Sequence, residues 1–172
     1  MALTVTKVMD ANVYVNNTSK HGQASEITCP DVLYKMDDFQ ALGLVGTPKY
    51  FSGLEAMEAT IKWTYPDNDA QIALANPFQP VELMIRSNKM VLENDAVVDN
   101  QPVTIYLRAL PTKHPGGSFK AKEAVEVEHT FAVNRYKLEV NGEEIIEIDV
   151  PNNIFRIGGE DILSDYRTNL GI

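Results

Sequence analysis

Three histidines, one cysteine and 24 acidic residues are the side chains of this 172-residue chain with reactivity to offer. His21, His114 and His129 stand far apart, and no His-x-x-x-His or Cys-x-x-Cys pair supplies the spacing of a zinc site. His129 falls among core-facing valines and reads as a satisfied core or interface histidine. His114 sits in a Pro- and Gly-rich turn and reads as exposed and inert. Cys29 has no second cysteine to pair with, and no patterned base to activate it, so it reads as a small buried hydrophobe. The acidic run at Asp67-Asn68-Asp69 lacks the glycine and final glutamate of a calcium loop, and reads as a helix N-cap. No Gly-x-Ser-x-Gly elbow, Walker loop or Gly-x-Gly-x-x-Gly fingerprint is present. A carboxylate pair suited to glycoside hydrolysis stays open on sequence alone, because such pairs meet only in the fold. The expectation is of no catalysis, no metal and no cofactor.

The elements around these residues are mostly strands. Met57, Ala59, Ile61, Trp63 and Tyr65 alternate with Glu58, Thr60, Lys62 and Thr64, a strict period of two. Val125, Val127, His129, Phe131 and Val133 alternate in the same way with Glu126, Glu128, Thr130, Ala132 and Asn134. Tyr136, Leu138 and Val140 run on to Asn141-Gly142, a strong hairpin signal, and Ile146 and Ile148 return from it. Shorter strands are expected at Val13–Val15, Ala24–Cys29, Val81–Arg86 and Val103–Leu110, with a hairpin between the last two. One helix is expected after a cap at Asp67 or Asn68, stopped by Asn76-Pro77, and a short one after an Asp161 cap. The total is about eight strands and one firm helix. This predicts a mainly β fold: an antiparallel β-sandwich or partly open barrel with one flanking α-helix and an extended loop, in one domain over residues 1–172.

That loop, Asp31 to Ser52, carries Phe39, Leu42, Leu44, Val45, Tyr50 and Phe51. An apolar loop of this length is costly to leave in water. Either it folds back on its own domain or it buries itself on a neighbouring copy.

The bulk composition is that of a soluble globular protein, 44% hydrophobic and 23% charged. Nothing near the N-terminus reads as a signal peptide, and no apolar run is long enough to span a bilayer, so no membrane anchoring is expected. The net charge is −9. Lys and Arg are scattered, without the basic stripe of a nucleic-acid binder.

Several segments carry a resemblance. Tyr136 to Glu144, with Ile146 to Asp149 after it, resembles the C-terminal signature of the major tail tube proteins of contractile-tailed phages and R-type bacteriocins. Gly158 to Asp161, the ending Arg167 to Ile172, and Gly53 to Ala59 are similar to that family too. The resemblance implies two packed sheets with a flanking helix, as in the tube protein of type VI secretion. It implies homohexameric rings stacked head to tail into a rigid conduit, with each subunit giving strands to a barrel that lines the lumen. Its implied partners are the tail sheath, baseplate and tail terminator proteins, with a tape-measure protein and transiting DNA in the lumen. Its implied place is the virion tail, assembled in the host cytoplasm.

On that footing Asp37, Phe39, Leu42, Leu44, Val45, Tyr50 and Phe51 become candidate subunit–subunit contacts, with Leu170, Ile172 and the chain termini. Glu58, Thr60, Lys62, Glu126, Glu128 and Thr130 become candidates for the lumen wall, or else face bulk solvent or the sheath. A hexamer would carry 6 × −9 = −54, and an acidic wall would repel phosphate at close range. The rival class is a monomeric β-sandwich that binds a ligand or carbohydrate on an aromatic platform or in a pocket.

Overall fold

Alternation decides which face of each strand is wetted, and the computed structural model, described for residues 4–172, follows it closely. The elements in chain order are β1 (Thr4–Val15), β2 (Thr18–Ser19), β3 (Ala24–Thr28), β4 (Tyr34–Asp38), β5 (Lys49–Leu54), β6 (Met57–Trp63), α1 (Asn68–Ala75), β7 (Val81–Glu93), β8 (Ala96–Lys113), β9 (Val127–Val140), β10 (Glu143–Asp149), β11 (Ile154–Ile157), β12 (Glu160–Asp161) and α2 (Ser164–Leu170). Ten strands form one antiparallel sheet in the order β12-β11-β10-β9-β8-β7-β1-β2, with β6 against β9 and β3 against β6. β4 and β5 form a separate two-stranded hairpin.

The long strand β9 is the branch point. Along one side it pairs with β8. Along the other it pairs with β6 from Val127 to Val133, then with β10 from Arg135 to Val140. The hand-over falls at Asn134, whose carbonyl accepts the Val150 N–H at 3.0 Å. A register shift against β8 sits at the same point, between Arg108 and Ala109. This bulge explains a change of parity in the sequence. The buried residues are His129, Phe131 and Val133 before it and Tyr136 after it, so the extra residue keeps one face of β9 in the core throughout.

Inward side chains of β1, β6, β7, β8, β9, β10 and β11 converge with Leu74 of α1 in one buried cluster. Trp63, Phe131, Ile61, Leu74, Leu83, Leu107 and Ile148 are the largest apolar side chains in it that are fully buried. Strands this far apart in the sheet share a core only if the sheet curls around it. It does not close into a barrel, because its order ends in the edge strands β12 and β2. Helix α1 covers the core through Ala70 and Leu74. Its Asp67 cap accepts from the Ala70 N–H at 2.8 Å and from buried Lys20 at 2.7 and 2.9 Å. That fastens the helix to the β2 turn.

The mainly β class, the antiparallel pairing and the flanking helix stand as expected. Three details differ. The described residues hold twelve strands, not about eight, while the two helices are the firm one and the short final one expected. The apolar stretch 31–52 is not an irregular loop: β4 and β5 pair from Tyr34↔Leu54 to Asp38↔Lys49. Asp161 does not cap the last helix by occupying its first position. It lies in β12, accepts from the Leu163 N–H at 3.2 Å and binds Arg167, which also donates to the Asn153 carbonyl. The helix start at Leu163 has no side-chain cap.

Candidate assembly surfaces

Because Met57, Ala59, Ile61 and Trp63 point inward, their alternates on β6 must point out. Register then brings the expected wall residues together on the outer face. Thr60 stands opposite Thr130, Lys62 opposite Glu128, and Glu58 opposite Ala132. Lys62 donates to Glu26 on β3 at 2.6 Å, and Lys113 lies 3.5 Å from Glu128. Glu126 sits just before β9, in the loop rather than on the strand as the alternation suggested. Glu58 and Glu126 make no salt bridge among the described residues.

The same face continues past the bulge into an ionic cluster that the sequence reading missed. Glu147 and Asp149 of β10 are each 4% exposed. Glu147 accepts from Arg135 at 2.7 and 3.1 Å and from Arg156 at 3.1 Å. Asp149 accepts from Arg108 at 3.0 Å and Asn152 at 2.8 Å. Lys137 bridges Glu139 and Glu144. A carboxylate buried this far is stable only when paired and hydrogen-bonded. The Glu147 carboxylate holds the Arg135 guanidinium further toward its charged form. Only the β9–β10 register reveals these pairs, and the one signal in the sequence was the acidic alternation of Glu147 and Asp149. Both buried carboxylates are held by arginine, which leaves neither free for general acid chemistry.

The hairpin β4–β5 carries seven of the expected contact residues. Asp37, Phe39, Leu42, Leu44, Val45, Tyr50 and Phe51 are all exposed, and Leu42 and Val45 fully so, at 105% and 108%. Ring pairs stiffen this arm. Phe39 meets Tyr50 edge-on at 5.9 Å, and Tyr34 meets Phe51 at 6.1 Å. Tyr34 also stacks on the core residue Phe155 at 6.4 Å, anchoring the arm's base. The arm therefore does not fold back onto its own domain. At the other end of the chain Leu170 and Ile172 are exposed on and after α2. The first three residues lie outside the described part.

Besides the two-residue end strands β12 and β2, two strands of the ten-stranded sheet have an open edge. Beyond Tyr14–Val15, which pair with β2, no described strand lies on the outer side of β1. None lies on the outer side of β3.

His129 is buried, but among the described residues neither ring nitrogen has a hydrogen-bond partner, so it is a core histidine without being a satisfied one. Burial first, then nearby His114 and Lys113, push its pKa down to about 4. His114 is exposed and meets its ring at 5.8 Å. No group of three or more metal-ligating side chains occurs among the described residues. Burial pushes the Cys29 thiol up, away from reactivity. Trp63 is wholly buried, so it supplies no aromatic platform.

Comparison with known proteins agrees over most of the chain. The family model described as phage tail tube protein FII matches residues 5–171. The tail tube protein of Escherichia phage P2 is 24% identical over 165 residues, covering 94% of both chains. Among solved structures, the sheath–tube complex of an extracellular contractile injection system (PVC, extended state) superposes with a TM-score of 0.57 at 17% identity. It covers 75% of this chain and 87% of that one. A PVC sheath/tube terminator structure superposes with a TM-score of 0.52 at 18% identity, covering 75% and 92%. These two likenesses speak for the fold.

Proposed function

The chain belongs to the phage tail tube protein FII family and is a structural subunit of a tail tube, a virion component and not an enzyme; from that premise we propose how the subunit is used. Residues 1–172 act as one tail tube domain. Copies assemble in the host cytoplasm into homohexameric rings, and rings stack head to tail into a hollow conduit. The observation that carries this reading is the pair of open edges, β1 on one side and β3 on the other. Exposed strand edges are an aggregation hazard in a free monomer. Pairing one edge with a different edge of the next copy is a heterologous contact, which closes into a ring.

In such a ring the outer face of β6 and β9 faces the lumen, with Glu58, Thr60, Lys62, Glu128 and Thr130 on the wall and Glu126 beside it. The ionic cluster on β10 adds rigid, internally neutralised polarity instead of net charge. The repulsion of phosphate then rests on the acidic excess, above all the unpaired Glu58 and Glu126. The apolar arm and the C-terminal helix serve contacts between copies. The partners are the tail sheath, baseplate and terminator proteins outside and at the ends, with a tape-measure protein and transiting DNA within. The sheath and terminator are supported by the PVC assemblies that share the fold.

A cryo-EM reconstruction of assembled tubes tests this. The expected map has six copies per ring and the β6–β9 outer face on the inner wall. A map with that face turned to the sheath side would overturn the lumen assignment.

A further inference from the structure

We propose that the tip of the β4–β5 arm of one copy docks in the apolar groove at the arm's base on the next copy. This rests on the tail tube reading above. The tip, residues 39–48, is ten residues without a single charge in a chain of net charge −9. Its Leu42 and Val45 are fully exposed, with no cover from the described residues. The groove has a volume of about 440 Å³. Its floor is Ile148 and Phe155, and its rim carries Leu54, Val150, Leu163 and Tyr166.

An arm cannot fill its own groove. Phe51 to Leu54 themselves form one wall of the groove, and the paired strand carries the chain on past it through Tyr50 and Lys49 before the tip begins. Folding back would break the ladder and the Phe39–Tyr50 and Tyr34–Phe51 ring pairs. Each copy therefore offers one apolar plug and one apolar socket that only another copy can join. The family's self-assembly makes that other copy the occupant in constant supply. The contact is heterologous, so it propagates from copy to copy as a tube requires. The ring pairs hold the arm in shape before docking, which lowers the ordering cost of the contact.

Engineered cysteines test the pairing, since the only native cysteine is Cys29. In a Cys29→Ser background, Val45→Cys marks the tip and Val150→Cys the groove. Both positions are exposed, so both variants fold as the parent does. Tubes co-assembled from the two variants are treated with a mild oxidant, copper phenanthroline, which joins two facing thiols directly as a disulfide. The expected result is a linked dimer from the mixture and none from either variant alone. Maleimide labelling of Val150→Cys is also expected to be lost on assembly. Tubes that form while Val150→Cys stays freely reactive would show a groove left open to some other occupant, and overturn the proposal while sparing the tube reading. Tip-to-tip linkage in Val45→Cys tubes would also overturn it. Failure of the Cys29→Ser parent to form tubes under any condition would instead count against the tube reading itself, and the docking would fall with it.

Discussion

His129 shows how one side chain ties stability to pH. Its imidazole is neutral in the fold, with a pKa near 4 against an ordinary value of 6.5. The unfolded chain therefore takes up a proton first as pH falls. Stability from this residue is complete above pH 6.5, is lost between 6.5 and 4, and falls no further below that. The loss is at most about 3–4 kcal/mol at roughly 1.4 per pKa unit. His129→Phe is expected to remove this slope, so that denaturant unfolding at pH 5 and pH 7 gives closer stabilities than in the wild type. An unchanged slope would mean the imidazole is not held neutral. Asp67 behaves in the opposite sense. Hydrogen bonds from Lys20, then Ala70 and Gln23, hold its carboxyl down to about 2 from 3.8. Its contribution is present above pH 4 and lost as pH falls toward 2. Asp67→Asn keeps a capping side-chain oxygen, so its expected cost of about 1–3 kcal/mol at pH 7 comes from leaving buried Lys20 without its carboxylate. Its 42% exposure argues for the lower half of that range. Urea melts at pH 7 and pH 3 should show the gap between variant and wild type narrowing.

Hairpin geometry sets the second scale. β9 and β10 turn at Asn141-Gly142, both with positive φ, where glycine is at ease. β7 and β8 turn at Asn94-Asp95, also both positive at 48° and 66°, but without a glycine. Asp95→Gly is therefore expected to stabilise the protein by about 0.5–1 kcal/mol, read from a shift in the denaturation midpoint at constant slope. A destabilised variant would contradict this account of the turn. The difference between these turns is also the difference between what could and could not be read in the sequence. Asn-Gly announced the β9–β10 hairpin, whereas Asn94-Asp95 sat inside a polar stretch that read only as a broad hairpin connection. The clean alternation gave the inner and outer faces of Met57–Trp63 and Val127–Val133, but it overran both strands: Tyr65 lies past β6 and is exposed, and Val125 lies before β9. The outer halves of β7 and β8 lie beyond the core and have few inward residues to alternate, so they read as short strands. The arm was hidden for a related reason: a hairpin wetted on both faces has no polar side, so its apolar residues resembled an irregular loop. Pairings such as Arg135–Glu147 depend on register between distant segments, which no local pattern carries.

At the scale of the whole molecule, the features left unexplained in a monomer are the ones an assembly uses. A curled sheet with open edges at β1 and β3, a stiff apolar arm, an apolar groove and a polar outer face are each costly or idle in isolation. Together they fit a subunit that closes into rings and stacks. The most direct test is negative-stain electron microscopy of the purified protein at high concentration, with light scattering on the same sample. Rings or stacked tubes with a central channel, and a scattering mass far above one copy, are the expected result. A protein that stays strictly monomeric, even with sheath and baseplate components present, would contradict the account and return the monomeric binding module to first place.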